Sequence, residues 1–254
     1  MRRRRTTFAL GGVAVAAALA LSVRGGLGPS TSPATAPPTA TPTVAGPSTH
    51  DCVDEPSRCG YPDETTTGVS DGVTLKKSGS VMADEDGQVV EGLDITGEIS
   101  VSAADVTIRD VRVTGGRGAG ASDWVVVVRP GAERLVIEDS VLRTPEGSEQ
   151  DIACVLNIGD AEPTVRRVDI SGCSAGISSG GGLVEDTYIH DLAMIPGLSH
   201  VVGVASNGGG GMTVRRSTIL NEYAQTAAVA FYQDFSQQSD NLVQDNLLAG
   251  GGYI

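Results

Sequence analysis

The sequence predicts an all-β chain folded as a right-handed parallel β-helix, a solenoid of about seven coils. Three observations predict it. A short phrase recurs seven times (VVEGLDI, TIRDVRV, VIEDSVL, TVRRVDI, LVEDTYI, TVRRSTI and LVQDNLL), anchored on Val90, Ile108, Ile137, Val165, Val184, Val214 and Val243. Successive anchors stand 18, 29, 28, 19, 30 and 29 residues apart, a period in the solenoid range. Five positions after every anchor comes a second aliphatic residue: Ile95, Val113, Leu142, Ile170, Ile189, Ile219 and Leu248.

Within each copy the residues at 0, +3 and +5 face inward, with a corner at +2, so the phrase reads as two short strands meeting at a bend. The +3 column is small to medium in size: Leu93, Val111, Ser140, Val168, Thr187, Ser217 and Asn246. A third strand follows at 99–101, 125–128, 155–158, 175–177, 201–204 and 229–232. Three strands per coil of variable length favour the right-handed parallel β-helix over the uniform left-handed hexapeptide form. The Leu spacing of leucine-rich repeats is missing.

The long coils carry their extra residues between +7 and the third strand, at 115–123, 144–152, 191–200 and 221–226. Stacking brings these loops out on one side of the rod, over a sheet face. Loops held by a rigid scaffold are where function concentrates.

The first fifty residues are not expected to join the fold. Arg2, Arg3, Arg4 and Arg5 precede an uncharged apolar run at 8–23, short for a membrane span and suited to a secretory signal. Residues 1–24 therefore read as a signal peptide or an uncleaved membrane anchor, and 25–50 as a disordered Pro/Thr/Ser-rich tether. The β-helix domain is expected over 51–254. Of 18 basic residues, five lie in the export segment, leaving 13 against 31 acidic ones. Such an excess of negative charge argues against nucleic acid and anionic lipid as partners. Any membrane contact is expected only through an uncleaved N-terminal segment, and the localisation is secreted or cell-surface.

Four cysteines in an exported chain suggest two disulfides. Cys52 and Cys59 close a small loop ahead of the repeats. Cys154 and Cys173 each lie 11 residues before the next anchor, which predicts vertical neighbours one rung apart, within bridging distance.

The repeat region from about Cys59 onward resembles the secreted parallel β-helix proteins of the pectin-lyase-like superfamily. The entry CGYPDETTTGVSDGVTL and the phrases VTIRD, YIHDL and TAAV look like an uncharacterised bacterial branch. The resemblance implies a carbohydrate-facing surface protein. Fold alone does not fix function. Members of this branch carry a His-x-Asp-Gly phrase where this chain has His200-Val201-Val202-Gly203, so a carboxylate position is filled by Val202. Two-carboxylate hydrolysis would be crippled by that loss.

The candidate catalytic residues are His190, Asp191 and His200. A lyase needs a base for the C5 proton, for which His190 or His200 is the right type, and a cation for the uronate carboxylate, for which Arg143 is. Asp191 would orient a histidine or hold Ca²⁺; the plainer reading is that His190 fills a corner and Asp191 caps a turn. Tyr223, Gln233 and Asp234 are candidate substrate contacts, against solvated turns as the alternative. Tyr188 and Tyr232 are further aromatics that sugars stack on, and Trp124 reads as a strand residue near the loop side. Glu146, Glu149 and Asp151 offer oxygens to Ca²⁺ without EF-hand spacing, so no metal residue is assigned.

The chain is thus expected to be an exported polysaccharide-interacting β-helix whose lyase-type catalysis is doubtful. The alternative is a non-catalytic structural or glycan-binding module. The seventh copy is followed by no polar cap, which suggests a shortened member, a partner chain over the open coil, or an exposed edge that is tolerated. Finally, the +1 column alternates in sign: Glu91, Arg109, Glu138, Arg166, Glu185, Arg215, then Gln244. Stacked rungs would pair opposite charges, and a slip by one coil would oppose like charges, so the alternation is expected to select register.

Overall fold

The computed structural model describes residues 49–116, 123–145, 147–148 and 150–253. The export segment expected at 1–24 and nearly all of the tether expected at 25–50 lie outside those residues, as do Glu146 and Glu149.

Short strands wind through three parallel sheets. The anchor sheet holds seven: Val89–Glu91, Thr107–Arg109, Val136–Glu138, Thr164–Arg166, Gly182–Glu185, Met212–Arg215 and Leu242–Gln244. After the corner the chain enters an eight-stranded second sheet: Lys76–Ser78, Leu93–Thr96, Arg112–Thr114, Val141–Arg143, Asp169–Ser171, Tyr188–His190, Thr218–Asn221 and Leu247–Gly250. The third sheet has seven: Val81–Ala83, Ile99–Val101, Trp124–Val128, Ala153–Asn157, Ala175–Ser178, Val202–Ser206 and Ala227–Phe231. This is a parallel β-helix. Every anchor is the register partner of the next, from Val90 and Ile108 through Val214 and Val243.

The core follows from that register. The six anchors from Val90 to Val214 and the six +5 residues from Ile95 to Ile219 are all buried. In the seventh copy Val243 and Leu248 are exposed, at 42% and 41%. The buried hydroxyls of the +3 column solve a backbone problem. Ser140 donates to the Glu138 carbonyl and accepts the Val111 amide one coil below. Ser217 repeats this with the Arg215 carbonyl and the Thr187 amide. Side chains thereby satisfy main-chain groups that the bend withdraws from the ladder.

The bend itself is left-handed. Gly92, Asp110, Asp139, Arg167, Asp186, Arg216 and Asp245, all at +2, have φ between 47° and 66°. Asp tolerates this region and Gly does so freely, but an Arg there is held by its surroundings. One such residue per coil turns the chain from the anchor sheet into the second sheet.

Several sequence expectations need correction. A coil precedes the first phrase, formed by Lys76–Ser78 and Val81–Ala83. Loop length varies at two corners, since the turn after the third sheet runs from 179–181 to 232–241. The Cys154–Cys173 bridge is present, but not between vertical neighbours. Ala153 pairs with Ala175 and Val155 with Ile177, so Cys173 precedes its strand and the bond runs diagonally, with a Cα separation of 5.6 Å. Both sulfurs are in the core.

The segment before the coils is a strap. Helix Thr49–Asp54 lies against strand Leu247–Gly250 of the last coil. Residues 57–66 then pass the left-handed corner, bounding a cavity of about 580 Å³ with Arg167, Asp186, Arg216 and Asp245. Gly68 donates to the Arg167 carbonyl and Ser70 to the Asp110 carboxylate, after which the chain enters Lys76–Ser78. The Cys52–Cys59 disulfide and buried Asp63, which accepts the amides of Ser57 and Thr65, fix the strap's shape.

Candidate functional site

The side loops and the +6 column of the second sheet enclose a groove of about 950 Å³. Thr114, Arg143 and Ser171 are successive register partners on its floor, spaced by about 4.8 Å per rung. Asp191, Met194 and Tyr223 come from the loops. Tyr223 is placed by Asn221, which is fully buried. The Asn221 amide donates to the carbonyls of Val201, Gln225 and Ala227, and its oxygen accepts the Tyr223 amide. Asn221 is a positioning residue that the sequence showed only as the start of an insertion.

Arg143 is exposed and has no carboxylate within ion-pair distance among the described residues. Among the described residues its hydrogen bond is from Nε to the Thr114 hydroxyl at 3.5 Å. The arginines of the neighbouring columns behave differently. Arg109, Arg166, Arg167, Arg215 and Arg216 each grip a carboxylate.

His190 stands next to the groove on the same sheet face. Its Nδ1 lies 2.7 Å from Asp191 Oδ2 and its Nε2 3.0 Å from Asp169 Oδ1. The ring stacks on Tyr188, centroids 4.0 Å apart. Burial opposes the charged form, but the hydrogen bonds and charges of Asp169 and Asp191 outweigh it and raise the His190 pKa above 6.5. With a carboxylate at each nitrogen the imidazolium is the natural state, since both nitrogens then donate. No lone pair is left to take a substrate proton. Tyr188 is pushed up to about 12, first by burial, then by Glu64 and Asp63 of the strap and by Asp169 and Asp191.

The other sequence candidates are scattered. His200 is exposed, does not line the groove and is not hydrogen-bonded to His190 or Asp191. Gln233 and Asp234 are exposed beyond the far end of strand Ala227–Phe231, at the opposite edge of the third sheet from the groove. The structure thus brings together Arg143, Asp191 and Tyr223, with His190 at the margin. Val202 is buried. Trp124 begins its strand half-buried, with the Arg129 guanidinium 5.6 Å from the ring centroid.

A second groove, unforeseen from the sequence, lies at the corner leaving the third sheet. It measures about 600 Å³ and crosses four coils, between Ile158, Asp160 and Glu162 on one side and Asn207, Phe235 and Ser236 on the other. Glycines form its floor because the turns stack too closely for side chains: a Cβ on Gly181 or Gly210 would meet a carbonyl oxygen at 2.6 or 2.3 Å. The glycine runs were visible in the sequence; the groove they leave was not.

No protein-family model, curated protein or solved structure matches the chain. The two disulfides fit an oxidising, extracytoplasmic compartment. Among the described residues no helix is long and apolar enough to cross a membrane.

Proposed function

We propose that the chain is an exported member of the pectin-lyase-like superfamily that binds acidic polysaccharide without cleaving it. The observation that carries this reading is Arg143, a guanidinium with no carboxylate partner among the described residues, set in an open groove beside two hydroxyls and Tyr223. A planar fork of donors suits a uronate carboxylate, Thr114 and Ser171 suit sugar hydroxyls, and Tyr223 offers a ring face. Asp191 excludes a second carboxylate close by, so one uronate per groove is engaged. The doubly engaged His190 argues against proton abstraction at this site.

Electrophoresis through gels containing polygalacturonate tests the binding. Wild type is expected to be retarded and Arg143→Ala to run freely. Absorbance of unsaturated products is expected to stay flat for both. Product formation by wild type that is lost in His190→Ala would replace this reading with a lyase.

A further inference from the structure

We infer that the glycine-floored groove leaving the third sheet is a second ligand site, for an amine-bearing saccharide chain. Its lining contains two carboxylates, Asp160 and Glu162, and no Lys, Arg or His. Neither carboxylate has an ion-pair partner among the described residues. Glu162 leans over the floor, its Oε1 3.8 Å from where a Gly181 Cβ would stand. Across the groove Phe235 is 85% exposed, and Ile158 on the near wall is 50% exposed.

Each part selects for the same chemistry. Two carboxylates without a counter-charge attract a cation. An exposed aromatic ring binds an ammonium over its face and the C–H face of a sugar equally well. The floor, lined by glycines across successive turns, lets an extended chain lie close to the backbone. Asn207 and Ser236 add polar groups along the run. A polyuronate is repelled here, so this groove and the Arg143 groove take ligands of opposite charge.

The repertoire of hydroxyl-matching groups favours a glucosamine chain over a basic peptide, and one titration separates them. A β-linked glucosamine tetramer, its N-acetylated counterpart and tetralysine are each titrated calorimetrically into the whole chain at low salt and mildly acidic pH. The glucosamine tetramer is expected to bind, the acetylated one not. Phe235→Ala, and separately the pair Asp160→Asn with Glu162→Gln, should each weaken binding by about tenfold or more. Phe235 and both carboxylates are solvent-exposed, so unchanged thermal melting is expected to accompany the loss. Arg143→Ala should leave this binding intact. No binding by wild type, equal binding of the acetylated tetramer, tighter binding of tetralysine, or unaltered binding by both variants would each overturn the proposal.

Discussion

Arg167 grips Asp139 one coil below with both ends of its guanidinium, Nε to Oδ1 and Nη2 to Oδ2 at 2.7 Å each, while both residues hold left-handed backbone at φ 53° and 47°. Arg216 repeats the fork on Asp186. Two costly conformations are therefore stacked and tied by a planar ion pair, and the corner of the solenoid is pinned rung by rung. Gly68 of the strap donates to the carbonyl of the same Arg167, and Ser70 to the carboxylate of Asp110 at the same corner.

This separates backbone strain from side-chain bonding. Arg167→Ala removes the fork and keeps the strain, and should cost about 1–2 kcal/mol. Arg167→Gly removes both, and should recover up to about 1 kcal/mol of that loss. Chemical denaturation of the two variants checks the order. A glycine variant no more stable than the alanine variant would contradict the corner account.

Register gives the second prediction. Arg166 is the register partner of both Glu138 and Glu185, and its Nη2 lies 2.7 Å from Glu138. Arg166→Glu sets three carboxylates in a row and should lower stability by about 1–2 kcal/mol, more than Arg166→Gln does. Raising the salt should shrink the gap between the two variants. Equal stabilities at low salt would remove the charge alternation as a register device.

The His190 cluster predicts a pH dependence. Its pKa is raised on folding, so the charged histidine contributes fully below about pH 6.5, and the contribution fades as pH rises through the folded value. Wild type should therefore lose more stability between mildly acidic and mildly alkaline pH than His190→Gln does. Parallel curves for the two would mean that His190 is not charged between Asp169 and Asp191.

The disulfides differ in reach. Cys154–Cys173 spans 19 residues and Cys52–Cys59 spans 7. Replacing the first pair by alanine should cost about 3 kcal/mol, and replacing the second should cost less. Denaturant midpoints of the two double variants give the comparison. A larger loss from the second pair would show that the strap holds more of the fold than the buried bridge does.

The coils were legible because a rod repeats its own constraints: each anchor and each +5 residue meets its equivalent in the next coil, so one inward-facing pattern appears again and again. What was not legible lacks repetition. The strap bonds to the corner through Gly68 and Ser70 and is shaped by Asp63, residues with no period. The coil at Lys76–Ser78 carries no aliphatic anchor phrase. Asp169, the second partner of His190, lies 21 residues away, and only the rung diagonal brings it near. Counting back from the anchors pairs Cys154 with Cys173, yet unequal turns make that count miss the true register. Arg143, Asp191 and Tyr223 were readable as candidates because all belong to the side loops or the column beneath them. Gln233 and Asp234 were not separable from these, since sequence does not show that the third strand ends at the opposite corner.

Calorimetric titration of a galacturonate oligomer into wild type and Arg143→Gln asks whether the Arg143 groove holds a uronate. Saturable binding by wild type is expected, weakened about tenfold or more in the variant, with melting temperature unchanged because Arg143 is exposed. Equal affinity for the two proteins, or no binding by wild type at low salt, would contradict uronate binding there.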